Sequence, residues 1–177
     1  MTDKKIRIKQ IKISKDLLVT ALLDLMFEQP FNTITISQLA QKSGVSRRTF
    51  YRHFQKLEDV LSYYLENLLQ LLIKQLMKQK KFDLPNIVTQ FFEFWEQYTD
   101  FLFILDKNNL FYLIFGNFFP KIPIEHGNYQ NIEEESYAYY FIIGGLCNSL
   151  LKWIKDGAKL KPDDIEKIVR KMINQFT

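Results

Sequence analysis

This chain of 177 residues is poor in the groups that most enzymes, metal proteins and secreted domains rely on. It has one cysteine, Cys147, which excludes an intramolecular disulfide and offers no metal-ligand spacing. A cytoplasmic location is the natural expectation, strengthened by a basic N-terminus that lacks an apolar core and small-residue cleavage site. The two histidines, His53 and His126, are far apart in sequence, and His126 sits in a loop-like stretch without chemical partners. With six glycines there is no phosphate-cradling loop, and no Ser/His/Asp or Cys/His arrangement is visible. No catalytic residue, metal or cofactor is therefore assigned, and an enzyme is not expected. Long apolar runs are also missing. The most nearly membrane-like stretch, Ser136 to Leu151, has 16 uncharged residues but contains Gly144, Gly145, Asn148 and Ser149. A spanning helix needs roughly 20 apolar residues, so this stretch is a buried helix and no membrane partner is expected.

What the chain does have is a core. It is 47% hydrophobic and 25% charged, which suits one folded domain or a compact domain with a small appendage. Acids are scarce at one end. Residues 1–56 hold eleven Lys/Arg against Asp3, Asp16, Asp24 and Glu28, a balance of +7, while the remainder carries −3. A basic head on a mildly acidic body fits a polyanion-binding protein.

No period-two strand pattern and no internal repeat is present, so the chain reads as all-α. Residues 1–13 alternate basic and β-branched side chains and read as a flexible arm suited to ordering on DNA. Ser14 is the expected N-cap of the first helix, with Asp16 at its positive end. Leu17, Leu18, Ala21, Leu22, Leu25 and Met26 follow at helical spacing, and Pro30 ends the run. A long amphipathic helix is expected from about Lys56 to Lys80, with the Lys78–Lys81 cluster suiting its C-terminal end. Beyond Asp83-Leu84-Pro85, a helix is predicted from Ile87 to about Lys107, broken near Asp100. A short aromatic helix follows over Leu110–Phe119, then a loop from Pro120 to Asn131 that includes Pro123 and Gly127. Helix resumes from about Glu133 to Lys155, ends at Gly157, and restarts at Pro162. Two domains are expected, an N-terminal three-helix head over 9–69 and a C-terminal helical bundle over 70–177.

The segment TITISQLAQKSGVSRRTFYRHF, residues 33–54, is the most informative. Thr35-Ile36-Ser37-Gln38 fits a capping box, with Ile34 and Leu39 as a hydrophobic staple across the helix start. Gly44 can take the positive φ of a tight turn, Ser46 caps the next helix, and Val45 with Phe50 makes a second staple. Two capped helices joined by a glycine turn make a helix-turn-helix, whose second helix enters the DNA major groove. At about 100° per residue, Phe50 and Phe54 share an inward face. Arg48, Thr49, Arg52 and His53 fall on the other side, with Arg47 and Tyr51 at the flank. Arginine bonds guanine edges bidentately, or phosphate, and Tyr51 and His53 suit phosphate oxygens. The competing view is a merely solvated basic face.

These residues are similar to the N-terminal signature of the tetracycline-repressor (TetR) family of bacterial transcription regulators, over roughly residues 12–70. The matching positions are Thr35, Ile36, Leu39, Ala40, Gly44, Val45, Ser46, Thr49, Phe50, Tyr51, His53 and Phe54. The resemblance implies an all-helical homodimer that binds a double-stranded DNA operator and carries an effector-binding C-terminal domain. It implies phosphate contacts from Thr35, Tyr51 and His53 and base contacts from Arg47, Arg48 and Thr49. The family's phosphate-binding lysine falls at Leu57 here, leaving Lys56, one residue early, as its substitute or the contact absent.

The C-terminal half leaves two matters open. The aromatic residues between 91 and 119 either fill a core or line an apolar effector pocket. Trp95, Tyr98, Phe111, Tyr112 and Phe115 are the ligand candidates. The i,i+4 pairs Gly144/Asn148 and Gly145/Ser149 either pack within the subunit or, with the last helix, form a two-fold dimer interface. The segment YYFIIGGLCNSLLKWIKDG also resembles the end of a short TetR subgroup that includes dihydroxyacetone-operon activators, which respond to a protein co-activator. The regulator is thus expected to answer to a small hydrophobic effector or, alternatively, to a partner protein bound by the C-terminal domain.

Overall fold

The computed structural model describes residues 2–78, 83–118 and 132–176. The expected loop with Pro120, Pro123, His126 and Gly127, and most of the Lys78–Lys81 cluster, lie outside the described residues. Within the described residues there are nine α-helices, one short 3₁₀ turn and no strand, so the chain is all-α as its periodicity implies. The chain divides into two compact units, residues 1–65 and 66–177.

In the first unit, helix α1 (Thr2–Glu28) packs on α2 (Ile36–Ser43) and α3 (Arg47–His53), and the first turns of α4 (Leu57–Leu76) complete the unit. Leu18, Leu22, Met26, Leu39, Phe50 and Leu61 are among its most deeply buried side chains. The amphipathic register of the sequence puts each of them on the inward face. At roughly 1.5–3 kcal/mol per fully buried large apolar side chain, this cluster is the main force holding α2 and α3 on the long α1.

The start of α1 differs from expectation. Residues 2–13 are not an arm with a helix beginning at Ser14; one helix runs through them. No proline or glycine interrupts residues 2–28, and the Ser14 hydroxyl donates to the Gln10 carbonyl at 3.0 Å rather than capping a new start. Asp16, expected at a helix N-terminus, lies mid-helix and accepts a hydrogen bond from the Tyr63 hydroxyl at 3.2 Å.

The second unit contains α5 (Leu84–Glu96), α6 (Thr99–Lys107), α7 (Tyr112–Phe118), α8 (Ile132–Lys155) and α9 (Pro162–Phe176). Helix α5 packs on α9, and α6 and α7 pack on α8. The Asp83 carboxylate accepts from the Asn86 N–H at 3.0 Å and starts α5. The break expected near Asp100 falls earlier, at Gln97–Tyr98. There the Tyr98 N–H turns back to the Trp95 carbonyl at 2.9 Å, tightening and ending the helix. Gly157 (φ 80°) and Ala158 (φ 54°) end α8, and the Ala158 N–H reaches the Trp153 carbonyl at 2.8 Å. The Trp153 indole N–H donates across this turn to the Leu160 carbonyl at 2.8 Å.

Phe91, Phe92 and Trp95 are buried and stack edge-on, and Phe92 meets Trp153 of α8 at 5.6 Å between ring centroids. Among the described residues no polar or charged side chain is buried, and no helix is long and apolar enough to cross a membrane.

Candidate nucleic-acid interface

Helix α2 begins with a closed capping box. The Gln38 N–H donates to Thr35 Oγ1 at 3.2 Å, and the Thr35 N–H donates to Gln38 Oε1 at 2.8 Å. Ile34 and Leu39 are buried beneath it as the staple requires. The helix ends at Gly44, whose φ of 68° is left-handed. Two residues beyond that glycine, Ser46 caps α3 by accepting from the Thr49 N–H at 3.1 Å, while Val45 and Phe50 are buried as the second staple. The short joint and two side-chain caps thus set where α3 points.

Helix α3 divides into two faces. Phe50 and Phe54 are buried and lie 5.9 Å apart between ring centroids. Arg47, Arg48, Tyr51 and Arg52 are exposed, and Thr49 and His53 are half-buried beside them. Thr35 and Ser46 are exposed at the two helix starts. Among the described residues, no carboxylate pairs with Arg47, Arg48 or Arg52. Three unpaired guanidiniums on two turns of helix repel one another, and an anion docked against them relieves that cost.

His53 stands at the edge of this face. Its Nε2 is covered and has no hydrogen-bond partner among the described residues. Burial, then the neighbouring Arg52 and Lys15 cations, hold its pKa below the ordinary value. A neutral imidazole, with one N–H and one lone pair, is favoured.

The turn between α3 and α4 has an organiser that periodicity does not mark. Asp59 Oδ2 accepts from the Gln55 N–H at 2.7 Å and from the Lys56 N–H at 3.0 Å. These bonds fix the backbone that carries Lys56, whose side chain is exposed, whereas Leu57 is half-buried. The sequence signal for this role is an Asp three residues after the turn, an acid in the first helical turn. Sequence reasoning also misses Lys15, whose ammonium lies over the rings of Phe54, at 5.3 Å, and Tyr63, at 4.6 Å.

The other candidate residues lie in the second unit. Trp95 and Phe111 are buried, Tyr98 and Phe115 half-buried, and Tyr112 exposed. Trp95 and Tyr98 meet at 6.2 Å, while Tyr112 points away from the core. A methyl group added at Gly144 or Gly145 would meet nothing within 4 Å, so no described helix of the same chain packs closely there. Gly145, Asn148 and Ser149 are not buried, and the Asn148 amide donates to the Gly144 carbonyl at 2.7 Å. Among the described residues no group of His, Cys, Asp and Glu could hold a metal.

A capped helix-turn-helix with a cationic outer face is the form of a DNA-binding head. Residues 18–63 match the pattern of the bacterial regulatory proteins of the tetR family. The HTH-type dhaKLM operon transcriptional activator DhaS of Lactococcus lactis subsp. lactis (strain IL1403) is 32% identical over 62 residues, 35% of this chain and 33% of the relative. The matched stretch thus spans about a third of that relative's length. A solved structure of the dihydroxyacetone kinase operon activator DhaS shares the fold over 92% of this chain and 95% of its own, with a TM-score of 0.56 at 20% identity.

Proposed function

We propose that the protein is a cytoplasmic, homodimeric, sequence-specific regulator that places the helix over 46–54 in the major groove of its operator. The observation that carries this reading is the division of α3 into a buried Phe50 face and an exposed Arg47, Arg48, Tyr51, Arg52 face, aimed by two side-chain caps. Arg47, Arg48 and Thr49 read base edges, while Thr35, Ser46, Tyr51, Arg52, His53 and Lys56 hold the phosphates. Dimerisation uses the open Gly145, Asn148 and Ser149 face of α8 together with α9, whose Ile168 and Met172 are exposed. A two-fold dimer then sets the heads on half-sites about one helical turn (roughly 34–36 Å) or more apart.

The C-terminal unit regulates DNA binding by favouring one head arrangement over another. Two inputs are distinguished by what the unit offers. A small hydrophobic effector would use the Trp95, Tyr98, Phe111, Tyr112 and Phe115 region. A partner protein is favoured by Phe141, 82% exposed, and Tyr137, 73% exposed, which leave an aromatic patch on α8. A gel-shift salt series on the intergenic DNA upstream of the gene tests the reading, and a specific complex that weakens steeply with salt supports it. Failure to shift that DNA at low salt, with the protein folded, would remove its basis.

A further inference from the structure

The unexpected extension of α1 creates a feature that the helix-turn-helix alone lacks. Its first turns run beside α3, and the two helices enclose an open cleft of about 1130 Å³. The polar lining is Arg7, Gln10 and Ser14 from α1 and Thr49, Arg52 and His53 from α3. No carboxylate lines it, and among the described residues neither Arg7 nor Arg52 has an ion-pair partner. Two guanidiniums facing one cleft without a counter-charge make an anion-binding site. Thr49 Oγ1 already accepts from the Ser46 hydroxyl at 3.0 Å, leaving its own proton for an acceptor. His53 lines the same wall.

We propose that this cleft is a phosphate-binding site for the DNA strand flanking the segment read by α3, resting on the reading that α3 enters the major groove. Arg52 joins the two surfaces. It lies one helical turn from Arg48, so a strand that meets Arg48 passes Arg52 and continues over the cleft. The rest of the lining favours a nucleic-acid strand over free phosphate. Ile6, Ile11 and Ile13 give the cleft an apolar side that suits sugar carbons, whereas a free phosphate dianion gains nothing from it. The helical extension also holds Arg7 in place before DNA arrives, which lowers the ordering cost of that interaction.

The test uses the full-length chain and a 40-base-pair duplex of random sequence, with affinity measured by fluorescence anisotropy across a potassium chloride series. Removing one phosphate-binding cation flattens the log–log salt slope by about 0.9. Arg7→Gln is expected to flatten it by about that much per bound head and to weaken binding about fivefold or more near 100 mM salt. Gln10→Glu keeps helix propensity but adds a carboxylate to the cleft, and is expected to weaken binding relative to wild type, most at low salt. Wild-type slopes and affinities in both variants, with wild-type helicity by circular dichroism, overturn the proposal while leaving the α3 reading intact. Absence of any wild-type binding at low salt removes the α3 reading itself. If inorganic phosphate raises the melting temperature of the wild type but not of Arg7→Gln, and the DNA slope is unchanged, the site takes free phosphate and the proposal falls.

Discussion

Lys15 and Tyr63 meet face to face: the ammonium sits 4.6 Å from the ring centroid, and the Tyr63 hydroxyl donates to Asp16 one residue along at 3.2 Å. The same ammonium lies over Phe54, the residue that ends α3. One cation thus ties α1 to the end of α3 and the first turns of α4. Cation–π contacts contribute about 0.5–2 kcal/mol, the higher end when desolvated. Lys15→Met should therefore destabilise the head by about 1 kcal/mol in urea unfolding. In a double-mutant cycle with Tyr63→Leu, the losses should be non-additive; strict additivity would mean that the contact contributes nothing.

The inter-helix joint should be sensitive through backbone geometry alone. A methyl group at Gly44 would meet nothing within 4 Å, yet φ there is 68°. Gly44→Ala should cost about 1–2 kcal/mol, and Gly44→Asn less, because asparagine tolerates the left-handed region. Equal losses in the two variants by chemical denaturation would assign the cost to something other than backbone strain.

Protonation of His53 should oppose folding. Burial and the Arg52 and Lys15 cations depress its pKa below the ordinary 6.5. Between the two values the unfolded chain binds more protons than the folded one, so stability rises with pH. The contribution is complete above 6.5 and is lost as pH falls below it toward the folded value. Melting temperatures from about pH 8 to about pH 5 should fall less steeply for His53→Gln than for wild type. Identical profiles would show that His53 is not the titrating group.

Cys147 should be chemically silent in the native protein. It is fully buried on α8, and burial pushes its thiol up to about 12. At pH 8 the thiolate fraction is then about one in ten thousand. Iodoacetamide should label it slowly in buffer and quickly in guanidinium. Native labelling at the denatured rate would contradict the packing of α8.

The legible part of the chain is the part written in local chemistry. The Thr35–Gln38 capping box, the Gly44 turn and the Ser46 cap depend on residues within four positions of one another, so short-range stereochemistry specifies them. The inward Phe50 and Phe54 follow from helical period alone. The beginning of α1 is not legible in this way, because Ser14 suits both a cap and a mid-helix back-bond, and only the helix behind it decides between them. Lys15 is invisible for a related reason: its partners are 39 and 48 positions away, and basic residues on a helix are ordinarily solvated. The break at Tyr98 is displaced from Asp100 because backbone bonds to Phe94 and Trp95, not a breaker residue, end that helix.

The central claim is that the outer face of α3 reads DNA sequence, and Arg48 tests it most directly. Affinities of wild type and Arg48→Ala should be compared on a duplex from the upstream intergenic region and on a shuffled duplex of equal length, at one fixed salt concentration. Loss of a base contact should cost about 1–3 kcal/mol on the first duplex and far less on the second, narrowing the ratio between them. Equal losses on both duplexes, or a wild type that does not distinguish them, would contradict the account.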